Sequence, residues 1–167
     1  KIENLWMPKI QTNTKTFEDV LDAVKNKGLK VTAPNKGDSF EIGKAKCEVM
    51  TDSILNKDNL NLSSIVIRLE FENNSFLFMG DAETANEKTR TWMKTDVLKV
   101  GHHGSNTSSS EDFLKQINPT YAVIMAGKNN SYGLPKQKIL DRLTKIGAKV
   151  YRTDEEGTIM MISNGNN

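Results

Sequence analysis

The chain has 167 residues, a formal net charge of +2 and one cysteine, Cys47. That length suits a single domain with a sizeable core, the charge neither requires nor excludes a nucleic-acid partner, and one cysteine excludes an intrachain disulfide or a cysteine-rich zinc cluster. No apolar run is long enough to cross a bilayer and no signal peptide stands at the front; because the chain opens on Lys1 rather than Met, the natural protein is expected to begin earlier.

Strands and helices alternate along the sequence. Residues 2–7 form a first strand. Thr16 is the N-cap of a helix in which Phe17, Val20, Leu21 and Val24 recur at helical spacing and Gly28 marks the end. A short strand lies near Leu29–Thr32, followed by a turn through Pro34–Asp38. Phe40–Ile42 and Ala45–Met50 then pair around Gly43-Lys44. The Asn-rich stretch Asp52–Leu62 is a loop. Ser64–Phe71 and Ser75–Met79 make the clearest hairpin, with Ile65, Ile67, Leu69 and Phe71 alternating and Asn73-Asn74 at the turn.

A helix covers Glu83–Met93, and another follows the serine run with Glu111 and Asp112 in its first turn, ending before Pro119. Tyr121–Met125 is a strand. Pro135 opens the best helix, where Ile139, Leu140, Leu143 and Ile146 share one face and Gly147 ends it. Val150–Arg152 and Thr158–Ile162 close the chain as strands, and Ser163–Asn167 is a polar, frayed tail. A mixed sheet followed by alternating strand and helix is a layered α/β fold, whose functional residues gather in loops at strand ends.

The two histidines of the chain stand side by side in Lys99-Val100-Gly101-His102-His103-Gly104-Ser105. They follow an apolar strand. Upstream, Phe76-Leu77-Phe78-Met79 stops at Gly80-Asp81, so two strands deliver a carboxylate and an imidazole pair to one edge. Carboxylate and neutral imidazole are ordinary ligands of zinc and manganese, and the arrangement is half of a metal site. Residue chemistry alone leaves alternatives. Asp81 would equally cap the next helix, Ser108–Ser110 would be a redundant N-cap, and a histidine pair would be polar surface. Lys128-Asn129-Asn130 forms a turn on any reading, with contact to a substrate phosphate as the second use, and Tyr132 would equally pack over its loop.

These residues resemble a family. Phe76–Glu83, Asp96–Ser105 and Ser108–Ser110 are similar to the metallo-β-lactamase fold, and within it to the hydrolase domain of the ComEC/Rec2 DNA-internalisation competence proteins. The likeness continues through Tyr121–Ile124, Gly127–Asn130, Tyr132-Gly133, Tyr151–Asp154 and Gly157–Ile159. It also takes in Met7–Lys9, Lys15–Asp19, Asn61 and Ser64–Val66, so it covers nearly the whole chain.

The resemblance implies an αβ/βα sandwich with two divalent metal ions, zinc or manganese, at one edge. Asp81 would bridge the metals and His103 would bind one. His102 would act catalytically, facing the substrate phosphate or the leaving oxygen, and Ser105, Asn129, Asn130 and Tyr132 would contact substrate. The reaction would be attack of an ion-activated water on the phosphorus of DNA or another phosphodiester. An extracytoplasmic location is implied in the same way.

Two departures stand out. The family's His-x-His-x-Asp-His motif, which supplies most ligands, is absent and belongs upstream of the segment resembling Lys1–Lys9. Leu134 stands where relatives carry histidine. The chain is therefore expected to be the N-terminally incomplete part of one such domain, residues 1–167, holding part of the metal site and inactive alone. The other reading is a metal-free relic or interaction module of the same fold. As half a sandwich it would expose an apolar sheet face, and so dimerise or pair with the missing segment.

Overall fold

The computed structural model describes residues 2–166. Leu5–Trp6 (β1) pairs in parallel with Val31–Thr32 (β2), so the first strand is shorter than its apolar residues suggest. Between them lies the helix Lys15–Asn26 (α1). Its N-cap is Thr14 rather than Thr16: the Thr14 backbone is extended and its hydroxyl accepts the Phe17 N–H at 3.3 Å. None of the α1 side chains is buried, and Val20 and Leu21 are each 41% exposed.

The remaining strands form one seven-stranded sheet in chain order. They are Ser39–Ile42 (β3), Ala45–Val49 (β4), Ile67–Phe71 (β5), Asn74–Phe78 (β6), Val97–Lys99 (β7), Tyr121–Ile124 (β8) and Lys149–Arg152 (β9). β3 to β6 run antiparallel, and β6 to β9 run parallel. Parallel neighbours need crossovers. The single-turn helix Thr84–Glu87 (α2) and the helices Glu111–Ile117 (α3) and Gln137–Lys145 (α4) lie within these connections. Thr153–Glu156 (α5) follows β9 directly.

Period-2 alternation separates the two faces. Leu77, Leu98 and Ala122 sit in register on one face and are buried with Phe113, Leu114 and Ile117 of α3 and Ile139 and Leu143 of α4. On the other face the register aligns Val49, Ile67, Phe78, Lys99, Val123 and Tyr151 in one row across six strands. Val49 is buried, but Phe78 is 42% exposed and its neighbours in the row are half-buried. At the β3–β4 end, Trp6 packs edge-on against Phe40 with ring centroids 4.9 Å apart. From β5 to β9 this face is thus apolar and half-buried, with Phe78 as its exposed large hydrophobic side chain.

Several sequence-derived boundaries move. The β5–β6 turn is Glu72-Asn73, because Phe71 pairs directly with Asn74 and Glu72 takes the left-handed conformation. The helix expected over Glu83–Met93 is one turn, Thr84–Glu87. Beyond it the Glu87 carbonyl accepts the indole N–H of Trp92 and the Trp92 N–H goes to Gln116, so the chain leaves the helical path. Pro135 precedes α4 by two residues instead of opening it. Thr158–Ile162 is not a strand, since β9 ends the sheet and Met160 and Ile162 are exposed. The tail is tied down rather than frayed as far as Asn166: Gly165 and Asn166 carbonyls accept bonds from Asn73 and Asn74. Lys1 and Asn167 lie outside the described residues.

Leu143 is fully buried in the α4 face. Leu143→Ala is expected to lower the unfolding free energy by about 2–5 kcal/mol, whereas Leu21→Ala on unburied α1 should change it by less than about 0.5 kcal/mol. Urea denaturation of the two variants checks this, and equal losses would contradict the assignment of the core.

Candidate metal centre

The parallel strands β6, β7 and β8 end at one edge, and the loops leaving them carry the site. Met79-Gly80-Asp81 follows β6, Val100–Gly104 follows β7 and Met125–Gly133 follows β8. The second loop is a tight turn, Gly101–Gly104, in which His102 (φ 45°) and His103 (φ 53°) are both left-handed. Glycines flank the pair for steric reasons. A Cβ on Gly101 would lie 2.7 Å from the Ala82 carbonyl oxygen, and one on Gly104 would lie 2.7 Å from the Pro135 ring. Both are closer than van der Waals contact allows, so Gly-x-x-Gly lets the loop pack down while two consecutive residues bear the unfavourable conformation.

The two rings take different partners. His103 Nδ1 is 2.6 Å from the Met125 carbonyl oxygen, and His103 Nε2 is 3.3 Å from Asp81 Oδ1. A carbonyl only accepts, so Nδ1 carries a hydrogen, and in the neutral form of the ring the lone pair is at Nε2, toward Asp81. A protonated ring would donate to the carboxylate from Nε2; in the neutral ring two acceptors face each other across 3.3 Å. A cation between them relieves that, and ligands about 2.1 Å from a tetrahedral ion stand about 3.4 Å apart. Donor type, tautomer and spacing therefore fit one side of a metal centre. Donor number does not complete it, since no three His, Cys, Asp or Glu side chains converge among the described residues.

His102 turns the other way. Its Nδ1 lies 3.1 Å from Glu83 Oε1 and 3.0 Å from the Thr107 hydroxyl, and Asn61 Nδ2 approaches Nε2 at 3.3 Å. An amide nitrogen donates, so Nε2 accepts and Nδ1 carries the hydrogen. Glu83 also accepts from the side-chain amides of Asn59 at 3.0 Å and Asn61 at 3.3 Å. It therefore ties the 59–61 turn to the histidine loop.

Supporting groups fix the Asp81 side. The Asp81 N–H donates to Ser64 Oγ at 3.1 Å, and the Gly80 carbonyl accepts from Lys99 Nζ at 2.6 Å and from the His102 N–H at 3.2 Å. Burial pushes the Lys99 ammonium pKa down from its ordinary value, with the Asp81 charge pulling it partly back. Under the His103 loop, the Thr153 hydroxyl bonds both the N–H and the carbonyl of Ala126, at 2.9 and 2.8 Å. Beside it, the Arg152 guanidinium holds the Asp154 carboxyl below the usual carboxylate range.

The remaining sequence candidates separate. Ser105 Oγ is 3.3 Å from the Thr107 hydroxyl, on the flank where His102 points. The Asn130 side chain is consumed by its own loop. It donates to the Gly127 and Leu134 carbonyls at 2.9 and 2.7 Å and accepts the Leu134 N–H at 3.0 Å. Asn129 is exposed with φ 56°, the left-handed position of that turn. Tyr132 is 77% exposed and lines, with His103 and Met125, a depression of about 260 Å³.

Sequence reasoning gave no role to Ser64, Glu83, Asn59 or Lys99. The legible signal was Lys99, a charge between Leu98 and Val100 in an otherwise apolar strand. The other three act across chain separations of 17 to 24 residues that no local pattern reveals.

Residues 9–128 match the model of the metallo-beta-lactamase superfamily, and the chain belongs to that family. Its similarity lies with the ComEC/Rec2 competence type. Over 163 residues it is 36% identical to "ComE operon protein 3" of Bacillus subtilis (strain 168), covering 95% of this chain and 21% of that protein. It is 42% identical over 101 residues to "Recombination protein 2" of Haemophilus influenzae, covering 59% of this chain and 13% of that protein. It is also 36% identical over 104 residues to "Competence protein ComA" of Neisseria gonorrhoeae, covering 59% of this chain and 15% of that protein. The chain thus spans about a fifth or less of the length of these curated relatives.

If Asn130 is a loop clamp, Asn130→Ala should cost about 2–3 kcal/mol of stability for three lost hydrogen bonds, and Tyr132→Ala less than about 0.5 kcal/mol. Paired urea melts decide it. A stable Asn130→Ala would return that side chain to the list of substrate contacts.

Proposed function

We propose that this chain carries the Asp81–His103 side of a divalent-metal centre in a competence-type phosphodiesterase acting on DNA or another phosphodiester. The observation that carries the reading is His103 Nε2 facing the Asp81 carboxylate at 3.3 Å, with the ring held at Nδ1 by the Met125 carbonyl. Oxygen and nitrogen donors admit zinc or manganese. When bound, such an ion polarises a phosphoryl oxygen and lowers the pKa of a coordinated water from about 15.7 to about 7.

The residues of this chain orient and bind. Asp81 and His103 supply donors. Glu83 holds the His102 ring through Nδ1 and would support its protonated form, in which Nε2–H, toward Asn61, is the donor available to a leaving oxygen. Ser105 and Tyr132 flank the pair on opposite sides as substrate contacts, with Asn129 at the tip of its turn. The other ligands come from a His-x-His-x-Asp-His segment upstream of Lys1 in the natural polypeptide, so residues 1–167 are one N-terminally incomplete domain, inactive alone. The likeness to competence proteins supports an extracytoplasmic location. No helix among the described residues is long and apolar enough to cross a membrane.

The test is hydrolysis of bis(p-nitrophenyl) phosphate and of DNA by the longest form of the protein its gene encodes, with zinc or manganese added. Asp81→Asn is expected to lower metal-dependent turnover by more than about a hundredfold, beyond what loss of an outer-shell partner costs. Unchanged turnover in that variant would remove Asp81 from the metal centre. The shortage of donors among the described residues favours one second reading, a metal-free interaction module. It predicts a longest form that neither binds metal nor hydrolyses either substrate.

The half-open row through Phe78 is proposed to be covered by the preceding segment in the natural protein, and by a second copy when residues 1–167 stand alone. Sedimentation velocity of the 167-residue chain should show a dimer that Phe78→Ser shifts toward monomer. A monodisperse monomer would count against an uncovered interface.

A further inference from the structure

Lys99 is the one charged residue in the row Val49, Ile67, Phe78, Lys99, Val123, Tyr151, which crosses six strands on the open face of the sheet. An ammonium in such surroundings is costly unless a partner satisfies it. Among the described residues its one hydrogen-bond partner is the Gly80 carbonyl, at 2.6 Å. That carbonyl belongs to the same planar peptide as the Asp81 N–H, which is itself held by Ser64 Oγ at 3.1 Å. Both ends of the Gly80–Asp81 peptide are therefore anchored, one by a side chain from β7 and one from the segment before β5. Gly80 has φ 57°, and a Cβ there would lie 3.3 Å from the Ser64 Cβ, so the turn packs closely on Ser64. The His102 N–H reaches the same carbonyl at 3.2 Å, so the anchor also joins the aspartate loop to the histidine loop.

We infer that Lys99 is a positioning residue for Asp81: its ammonium fixes the Gly80 carbonyl and, through that peptide, the direction in which the Asp81 carboxylate meets His103. This rests on the reading of Asp81 as a metal donor for its consequence, but not for its geometry. The charge of Lys99 by itself works against a cation bound at Asp81, because like charges repel. Positioning and charge thus predict opposite signs when the ammonium is removed, and the sign distinguishes them.

The experiment uses Lys99→Met, which keeps an unbranched apolar side chain in the row, and Lys99→Arg, which keeps a donor cation. In the 167-residue chain, amide hydrogen exchange followed by NMR should show Asp81 and His102 exchanging at least tenfold faster in Lys99→Met. Leu98 and Ala122 should keep their rates, and Lys99→Arg should restore most of the protection. Unchanged Asp81 and His102 amides would overturn the proposal.

In the longest natural form, zinc affinity measured by competition with a chromophoric chelator should weaken at least tenfold in Lys99→Met despite the loss of a repelling charge. Affinity that is equal or tighter in that variant would also overturn it. A wild-type protein without measurable zinc affinity, alongside the expected exchange result, would overturn the metal reading of Asp81 and support Lys99 as the anchor of its loop.

Discussion

The carbonyl oxygen of Gly80 receives two donors, the Lys99 ammonium and the His102 N–H, and the layout of the functional edge depends on that junction. Without it the loop after β6 and the loop after β7 would be neighbours with independent conformations. With it, a left-handed glycine turn and a turn of two left-handed histidines share one fixed point. The strain of placing His102 and His103 at positive φ is offset by the contacts the loop gains, in particular the close approach of Gly101 to the Ala82 carbonyl. A carboxylate and an imidazole 22 residues apart in sequence thereby reach 3.3 Å in space.

The sheet explains why the junction can exist. Parallel pairing of β6, β7 and β8 places their C-terminal ends at one edge, as in other open α/β sheets whose ligands bind there. α3 and α4 cover one face and make it rigid through Leu77, Leu98 and Ala122. The opposite face is apolar, half-exposed and interrupted by Lys99, directly beneath the edge that carries Asp81. A surface of this kind suits a sheet that is one layer of a two-layer architecture, in keeping with the superfamily to which the chain belongs.

The adjacent histidines divide their work instead of sharing it. A left-handed backbone at both positions sends the rings apart, with centroids 6.4 Å from each other. His103 is held by a backbone carbonyl and faces a carboxylate, whereas His102 is held by a carboxylate and faces an amide. In each ring Nδ1 carries the hydrogen, and the second-sphere partner that sets this tautomer decides what Nε2 can do. In the proposed reading that difference separates a metal donor from a group that meets the substrate.

The order of strands and helices, the hairpin of alternating Ile67, Leu69 and Phe71, the α4 face of Ile139, Leu140, Leu143 and Ile146, and the Gly-Asp and Gly-His-His-Gly loops were all legible in the sequence. Periodicity and loop chemistry are local properties that the chain states residue by residue. Boundaries were less legible where tertiary hydrogen bonds compete with helix or strand propensity. Trp92 reaching back to Glu87 shortens α2, and a sheet that ends at β9 leaves Thr158–Ile162 unpaired. The sequence by itself determined which residues carry donor chemistry and that they sit at strand ends. The tertiary structure decided which of them meet: Asp81 with His103, His102 with Glu83 and Asn61, Asn130 with its own loop, and Lys99 with Gly80. Those pairings depend on strand register and on loop conformations at positive φ, and both are set by contacts between segments far apart in the chain.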